Sequence, residues 1–241
     1  MSGHSKWAGI KHKKAIIDAK RGKVFTRIIR ELTIAARQGG NPENNVRLRK
    51  AIEDAKCANM PMDNIKKAIQ RGTGELPGVN YEELVYEGYG PCGVAVMIEL
   101  TTDNKNRTHS EIKKIFSSHG GNLGDTGCVG WMFQPKGYIS VEKSKVKEDE
   151  LMNIAIDNGA EDVKSDDDIF YEILTTTADF EKVKKALEDK KIVIESSETT
   201  MIPSTYIELE GNDARKMVEL MDELEESDDV KDVHSNFEIN E

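Results

Sequence analysis

The chain opens with a lysine-rich segment, residues 5–14, that contains a single tryptophan. Lysine and arginine side chains bind phosphate oxygens, and an indole ring can stack on a nucleobase. Positive charge continues through residues 20–30 into a stretch with helical periodicity. We predict that these side chains contact nucleic acid, mainly through phosphate, which by itself gives little sequence specificity. The predicted contact residues are Lys6, Trp7, Lys11, His12, Lys13, Lys14, Lys20, Arg21, Lys23, Arg27 and Arg30.

Charge is divided unevenly along the 241 residues. Residues 1–74 carry 17 Lys and Arg against 6 Asp and Glu, a net charge of +11. Residues 75–241 carry 17 against 38, a net charge of −21. A positive pole concentrated at one end of an acidic protein favours a polyanionic partner. A lysine-rich tail that only keeps the chain soluble is the alternative interpretation.

Two glycine-rich stretches resemble phosphate-binding loops in spacing alone. Residues 88–93 match G-x-G-x-x-G, but a dinucleotide-binding loop must lead into a helix N-terminus. Here the following run, residues 94–98, is typical of a strand, and Pro91 has no amide N–H to donate. We therefore predict a hairpin turn. The second stretch, residues 120–130, lacks the G-K-[ST] ending of a P-loop and is expected to form turns around a short strand.

The sequence offers no spacing typical of a metal centre or a catalytic group. The five histidines and three cysteines lack the spacing of a zinc site. The three cysteines also show no disulfide framework, which fits a reducing compartment. Residues 166–168 are three aspartates without the remaining ligands of an EF-hand loop. No Ser, Cys or Thr can be matched by spacing with an orienting base. We expect no enzyme activity, catalytic residue, cofactor, metal ion or small-molecule substrate.

Composition excludes two further classes. No apolar run approaches the roughly 20 residues of a membrane span. The amino terminus lacks the apolar core of a signal peptide. The sequence therefore predicts a cytoplasmic protein without a membrane partner.

Three helical patterns follow one another between residues 24 and 71. The first, residues 25–36, has apolar side chains on one face and ends at Gly39 and Gly40. The second is predicted to begin at Asn41, an N-cap followed by a proline. The third follows Pro61 and is predicted to be capped by Asp63. These helices, the basic arm and a glycine-rich hinge make up a predicted basic helical domain, residues 1–78.

After residue 80 the pattern changes to strands and helices. Residues 135–203 have the order β-α-β-β-α-β of a ferredoxin-like domain. The segment after residue 203 has too few elements for a stable sheet and is expected to complete the one begun by residues 79–134. The predicted fold is α+β and multidomain: an N-terminal three-helix basic domain followed by two ferredoxin-like α+β domains, one inserted in the other. The predicted limits are 1–78, 79–134 plus 204–241, and 135–203.

Motifs spread over residues 1–134 closely resemble the YebC/PmpR family. They are SGHSKW (2–7), IKHKK (10–14), DAKRGK (18–23), NMP (59–61), YEGYGP (86–91), TDN (102–104), NRT (106–108) and WMF (131–133). The resemblance implies one helical and two α+β domains and offers no catalytic residues. Members are described as probable DNA-binding transcriptional regulators, mitochondrial relatives as translational activators, and some bacterial ones as ribosome-associated factors. Cys92 departs from the small or polar residue usual in its turn.

Together these observations predict a non-enzymatic, cytoplasmic, nucleic-acid-binding regulator of gene expression, with DNA-binding transcriptional control as the first interpretation. A translation factor that binds the ribosome or ribosomal RNA is the alternative, because no helix shows a clear base-reading face. A third possibility is a protein-interaction adaptor whose acidic domains bind a basic partner. The acidic run at residues 222–229 is predicted to be a solvated helix end or a docking site for such a partner.

Overall fold

A computed structural model describes residues 21–239, and for Arg21 the backbone alone. Within this range there are seven α-helices and three β-sheets. The elements fall into a helical region, a first sheet layer and a second sheet layer, and each of the three has its own apolar core.

Three helices form the helical region: α1 (Arg21–Ala36), α2 (Val46–Cys57) and α3 (Met62–Gly72). Their apolar faces meet around Leu32, Leu48 and Ile65, which are almost fully buried. Both α2 and α3 pack against α1. The described residues thus place three helices where three helical patterns were predicted.

The predicted caps of α2 and α3 are wrong. Asn45, rather than Asn41, precedes α2; its side chain accepts a hydrogen bond from Leu48 N at 3.0 Å and donates one to Ala35 O at 2.7 Å. Asn41 instead forms a local turn, accepting from Glu43 N at 2.9 Å. Asp63 lies in the first turn of α3 without a capping hydrogen bond. Buried Asn45 therefore ties the end of α1 to the start of α2.

Gly72 lets the end of α3 lie directly on α1. A Cβ atom added there would lie 2.3 Å from Thr33 O and 2.6 Å from the Cβ of Ala36, both on the neighbouring helix. We expect Gly72→Ala to lower the free energy of unfolding by about 1–3 kcal/mol, because the two backbones must separate. Chemical denaturation would measure this. Gly22→Ala on α1 is the control, since nothing lies within 4 Å of its added Cβ, and a similar loss in both variants would contradict the explanation.

The first sheet layer contains four antiparallel strands, in the spatial order 122–123, 82–89, 95–102 and 230–235. Its elements are β1 (Glu82–Tyr89), β2 (Ala95–Thr102), α4 (Lys105–Ser118), β3 (Asn122–Leu123), and later α7 (Gly211–Glu226) and β9 (Val230–Ser235). Helices α4 and α7 cover one face, around Ile98, Phe116 and Met217.

The glycine-rich turn between β1 and β2 is a hairpin, as predicted. Its backbone is closed by a hydrogen bond from Gly90 N to Val94 O at 2.8 Å. Cys92 has φ of 58°, the left-handed region that favours glycine. The departure from the family pattern therefore lies at a position where a side chain costs conformational energy.

The second sheet layer is formed by residues 133–203. Its elements are β4 (Phe133–Glu142), α5 (Glu148–Asp157), β5 (Ala160–Lys164), β6 (Phe170–Thr175), α6 (Phe180–Asp189) and β7 (Ile194–Pro203). The strand order β5-β6-β4-β7, antiparallel throughout, is that of a ferredoxin-like domain. The pattern of residues 131–133 predicts a short strand, but Trp131 and Met132 lie in a 3₁₀ turn just before β4.

The predicted fold class, mixed α and β over several domains with antiparallel sheets, is confirmed. The first sheet layer places two helices on one face of four strands, but its chain order, β-β-α-β and then α-β, differs from the ferredoxin-like one. Two short strands, β8 (Ile207–Leu209) and β10 (Phe237–Ile239), pair in parallel beside it. The limits 1–78, 79–134 plus 204–241, and 135–203 stay a prediction.

Candidate nucleic-acid interface

The structure describes only part of the predicted contact set. Seven of the eleven residues lie outside the described range: Lys6, Trp7, Lys11, His12, Lys13, Lys14 and Lys20. Arg21 begins α1, and its side chain is not described. Lys23, Arg27 and Arg30 follow on the same helix. Their role in binding nucleic acid stays a prediction, and the structure adds where these three side chains lie.

Lys23, Arg27 and Arg30 all reach the carboxyl end of α7. Lys23 Nζ donates to Glu226 O at 2.6 Å, and Arg27 Nη2 donates to Glu225 O. Arg30 Nη1 donates to Asp228 O and, at 3.0 Å, to Thr101 O. The three cations lie at positions i, i+4 and i+7, so the helical repeat places them along one side of α1. We call residues 225–229 the α7 end.

The physical reason for this contact is the unpaired backbone at a helix terminus. The last carbonyl oxygens of a helix have no intrahelical donor, and the helix dipole makes that end negative. Cationic side chains are therefore favourable there. Lys23 and Arg27 fill this role for α7, and Arg30 donates to a carbonyl oxygen two residues beyond the helix.

Asp229 connects the α7 end to α1 through a buried carboxylate, 4 % exposed. It accepts hydrogen bonds from Thr108 Oγ1 at 2.5 Å and Thr102 Oγ1 at 3.1 Å, and forms ion pairs with Arg107 at 3.1 Å and Arg30 at 2.9 Å. Burial by itself would raise the pKa of Asp229. The hydrogen bonds from Thr108 and Arg107, with the charge of Arg30, outweigh burial and lower the pKa below its usual value.

Arg47 makes a second connection between the helical region and the first sheet layer. Its Nε donates to Glu31 Oε1 at 2.6 Å, and its Nη2 donates to Glu83 Oε1 on β1 at 2.5 Å. The hydrogen bonds from Arg47 to Glu31 and then Glu83 raise the pKa of the guanidinium. Basic residues of the helical region therefore hold it against the first sheet layer at two places.

Six further cations of the helical region point to solvent. They are Arg49, Lys50, Lys56, Lys66, Lys67 and Arg71, on α2 and α3. None forms an ion pair within residues 21–239. The net charge of residues 1–74 includes these six cations, but none of them is in the predicted contact set. They extend the accessible positive surface beyond the predicted contact set.

A glycine-rich loop in the first sheet layer presents an exposed aromatic side chain. Trp131 is 75 % exposed, and its Nε1 donates to Cys128 O at 3.1 Å. The loop is held by the buried carboxylate of Glu87, which accepts hydrogen bonds from the backbone N–H groups of Gly127, Val129 and Gly130 at 2.5–2.8 Å. The sequence predicted turns here and gave no signal for the Glu87 anchor.

We expect Glu87→Ala to release this loop. Burial alone would raise the pKa of Glu87, but hydrogen bonds from Val129, Gly127 and Gly130 lower it below its usual value. The charged carboxylate is thus the acceptor for three donors, and its removal should cost about 2–4 kcal/mol. Hydrogen exchange would show faster exchange at those three amides. Glu82→Ala, at an exposed position on the same strand, should leave them unchanged; protection that persists without Glu87 would contradict this account.

A cleft of about 320 Å³ lies between β9 of the first layer and β7 of the second. Glu99 lies there 3.3 Å from Lys231 Nζ and 3.7 Å from His234 Nε2. The neighbouring His234 and Lys231 lower the pKa of Glu99 to about 2. Through its other ring nitrogen, Nδ1, His234 lies 3.4 Å from the hydroxyl oxygen of Thr200, so these groups form a charge-paired and hydrogen-bonded cluster. Among residues 21–239, no three metal-binding side chains come together.

The same residues include no helix with the length and apolar character needed to cross a membrane.

Two family models match the chain. The model described as the TACO1/YebC protein N-terminal domain matches residues 5–75. The model described as the TACO1/YebC second and third domain matches residues 81–237. Together they cover both the helical region and the two sheet layers.

Individual relatives match over almost their whole length. A protein of Endomicrobium trichonymphae is 61 % identical over 99 % of this chain and 96 % of its own. A protein of Pelotomaculum thermopropionicum is 58 % identical over 99 % of both chains. Both are named "Probable transcriptional regulatory protein". The crystal structure of a conserved hypothetical protein from Aquifex aeolicus superposes with a TM-score of 0.84 at 50 % identity, covering 98 % of each chain. The chain belongs to the TACO1/YebC family.

Proposed function

We propose that this protein is a cytoplasmic regulator of gene expression that binds nucleic acid through its basic amino-terminal part and has no enzymatic activity. The observation that carries the proposal is the charge division, +11 in residues 1–74 against −21 in the rest. Close relatives are named as probable transcriptional regulators, which supports DNA as the first candidate target.

The described residues support a positively charged binding surface. The helical region exposes six cations on α2 and α3 in addition to the predicted contact residues. The sheet layers carry the negative charge, so a phosphate backbone is repelled from them and attracted to the helical region. Lys6, Lys11, Lys13, Lys14 and Lys20 would then contact phosphate, with His12 beside them and Trp7 stacking on a base.

Replacing Lys11, Lys13 and Lys14 together with glutamine is expected to weaken binding and to lower the salt slope of log K by about 3, because each phosphate contact contributes about 1. Fluorescence anisotropy with a labelled 30-base-pair duplex and a labelled RNA hairpin would measure both. The control is the triple Gln variant at Lys182, Lys184 and Lys185 on α6. It removes the same charge from the second sheet layer and should bind like the original chain. Equal effects in the two variants would contradict an interface on the amino-terminal part.

A second candidate is a translation factor that binds ribosomal RNA. The exposed indole of Trp131 on an anchored loop favours it, because exposed aromatic rings commonly stack on unpaired RNA bases. Crosslinking in cells, followed by sequencing of the attached nucleic acid, separates the candidates. Enrichment of promoter DNA supports transcriptional control, whereas enrichment of ribosomal RNA replaces it with the translational role.

A further inference from the structure

The acidic run at residues 222–229 lies against the basic helix of its own chain. Its carbonyl oxygens at Glu225, Glu226 and Asp228 accept hydrogen bonds from cations of α1, and Asp229 adds a carboxylate. A row of oxygen acceptors with negative charge presents to α1 the chemistry that a phosphate backbone would present. Within the described residues, this acidic run contacts α4 through Arg107 and through His119 just after it, and it also contacts the helix predicted to bind nucleic acid.

The donor groups of Arg27 and Arg30 that contact the α7 end are not available to a phosphate group in the closed state. Lys23 Nζ, Arg27 Nη2 and Arg30 Nη1 are all directed at the α7 end. Arg30 is also largely buried, with 11 % of its side chain exposed. A phosphate group could replace the acceptors of Arg27 and Arg30 only after α1 and the α7 end separate, whereas Lys23 Nζ, whose hydrogen bond is exposed, has further N–H groups to donate.

We propose that the α7 end occupies the α1 part of the nucleic-acid site in the free protein, and that nucleic acid displaces it. This inference rests on the proposed function and specifies how that site is regulated. The exposed cations of α2 and α3 make the first contacts. Lys23, Arg27 and Arg30 join them when the helical region swings away from the first sheet layer. Binding is then coupled to an opening of the molecule.

Two features make the closed contact reversible. Arg27 Nε and Arg30 Nε are buried and have no hydrogen-bond partner among the described residues, and an unmet donor costs free energy in the closed state. The connection between α3 and β1, residues 73–80, is exposed throughout, and Gly74 within it has φ of +83°. A solvated link of this kind permits the helical region to move without breaking a core.

The matched test uses two adjacent glutamates on β1. Glu83 contacts Arg47 of the helical region, whereas Glu82 contacts Lys105 within the first sheet layer, at 3.4 Å. Both alanine variants remove one exposed negative charge, and only Glu83→Ala weakens the closed state. We expect Glu83→Ala to bind a labelled 30-base-pair duplex or RNA hairpin about two- to fivefold more tightly than Glu82→Ala. Equal affinities of the two variants overturn the proposal.

A second measurement follows the opening directly. Cys57 on α2 and Cys92 beside β2 are exposed and can carry a fluorescent donor and acceptor once Cys128 is replaced with serine. Nucleic acid should change the energy transfer in the full chain. Asp229→Asn, which removes the charge facing Arg30, should move the free protein toward the same value. Circular dichroism checks that this variant is folded, and Glu83→Ala provides the smaller change if it is not.

The outcomes separate this inference from the function on which it rests. If the original chain binds nucleic acid at low salt with unchanged energy transfer, the regulation is wrong and the proposed function stands. If no variant binds nucleic acid, both fail. Stronger binding of nucleic acid by Asp229→Asn and Glu83→Ala, together with a changed efficiency of energy transfer between the two dyes, supports both the regulation and the proposed function.

Discussion

The affinity of the protein for nucleic acid is expected to fall by about 10³- to 10⁵-fold between 50 and 200 mM salt, if about 6 to 10 phosphates are contacted. Each contact releases condensed counterions, and added salt opposes that release. The predicted contact set contains nine lysine and arginine residues, all within residues 6–30. This number of cations matches the range of contacts that produces such a slope.

Titrations at five salt concentrations by fluorescence anisotropy give the slope directly. Circular dichroism at the lowest and highest concentrations is the control for folding. A nearly flat dependence would exclude an interface built on phosphate contacts and would favour the adaptor hypothesis, in which the acidic layers bind a protein. Removal of residues 1–23 should abolish most of the slope, and a truncated chain that keeps it would place the interface elsewhere.

Replacing Asp229 with alanine is expected to lower the free energy of unfolding by about 3 kcal/mol or more. Asp229 is buried between two arginines and two threonines. Without its carboxylate, Arg30 keeps a charge in a largely buried place with no acid opposite it, and losing one partner of such a pair typically costs about 3–5 kcal/mol. Separation of α1 from the α7 end would relieve part of this cost by exposing Arg30 to water.

Denaturant unfolding measures the effect, and Asp228→Ala is its matched control. Asp228 is the adjacent aspartate, with an exposed side chain, and its replacement should change stability by less than about 0.5 kcal/mol. Similar losses in both variants would show that the buried pairing contributes little.

The pH dependence follows from the lowered pKa of Asp229. Its folded-state pKa lies below the ordinary 3.8. The stability that Asp229 contributes is therefore present above about pH 4 and is lost as the pH falls through the folded-state value. Between pH 5 and pH 2, the free energy of unfolding should fall less in the Asp229→Ala variant than in the original chain. If the free energy of unfolding of that variant changes as much between pH 5 and pH 2 as that of the original chain, Asp229 is not the source of this pH dependence.

Local patterns predicted most of the secondary structure correctly. The hairpin at residues 88–93 could be told from a dinucleotide loop because the strand pattern after it continues without a helix start. The β-α-β-β-α-β order of residues 135–203 was predicted correctly because most of its elements have an apolar period of their own. The error at Asn41 came from two plausible caps in one short stretch. Asn45 is the residue that caps the helix, and its side chain also donates a hydrogen bond to Ala35 O. Ala35 belongs to the preceding helix, so the pattern of residues around Asn45 does not indicate this contact.

The candidate site was predictable in its charge and not in its contacts. Lys23, Arg27 and Arg30 were identified as cations on a helix, and nothing in the neighbouring residues indicated their acceptors. Those acceptors lie about 200 positions away, at the α7 end. The Glu87 anchor of the loop that carries Trp131 is likewise separated from its donors by 40 or more residues.

The sequence by itself determined the family, the mixed α and β fold class and the opposite charges of the amino-terminal part and the remainder. These properties depend on composition, local period and short motifs, which are present in the chain before it folds. Only the tertiary structure decided that three of the predicted phosphate-binding residues lie against the α7 end. It also decided that Asp229 forms a buried ion pair with one of these residues, Arg30. Such pairings depend on which distant surfaces the folded chain brings together, and a helix terminus acquires partners only through that packing.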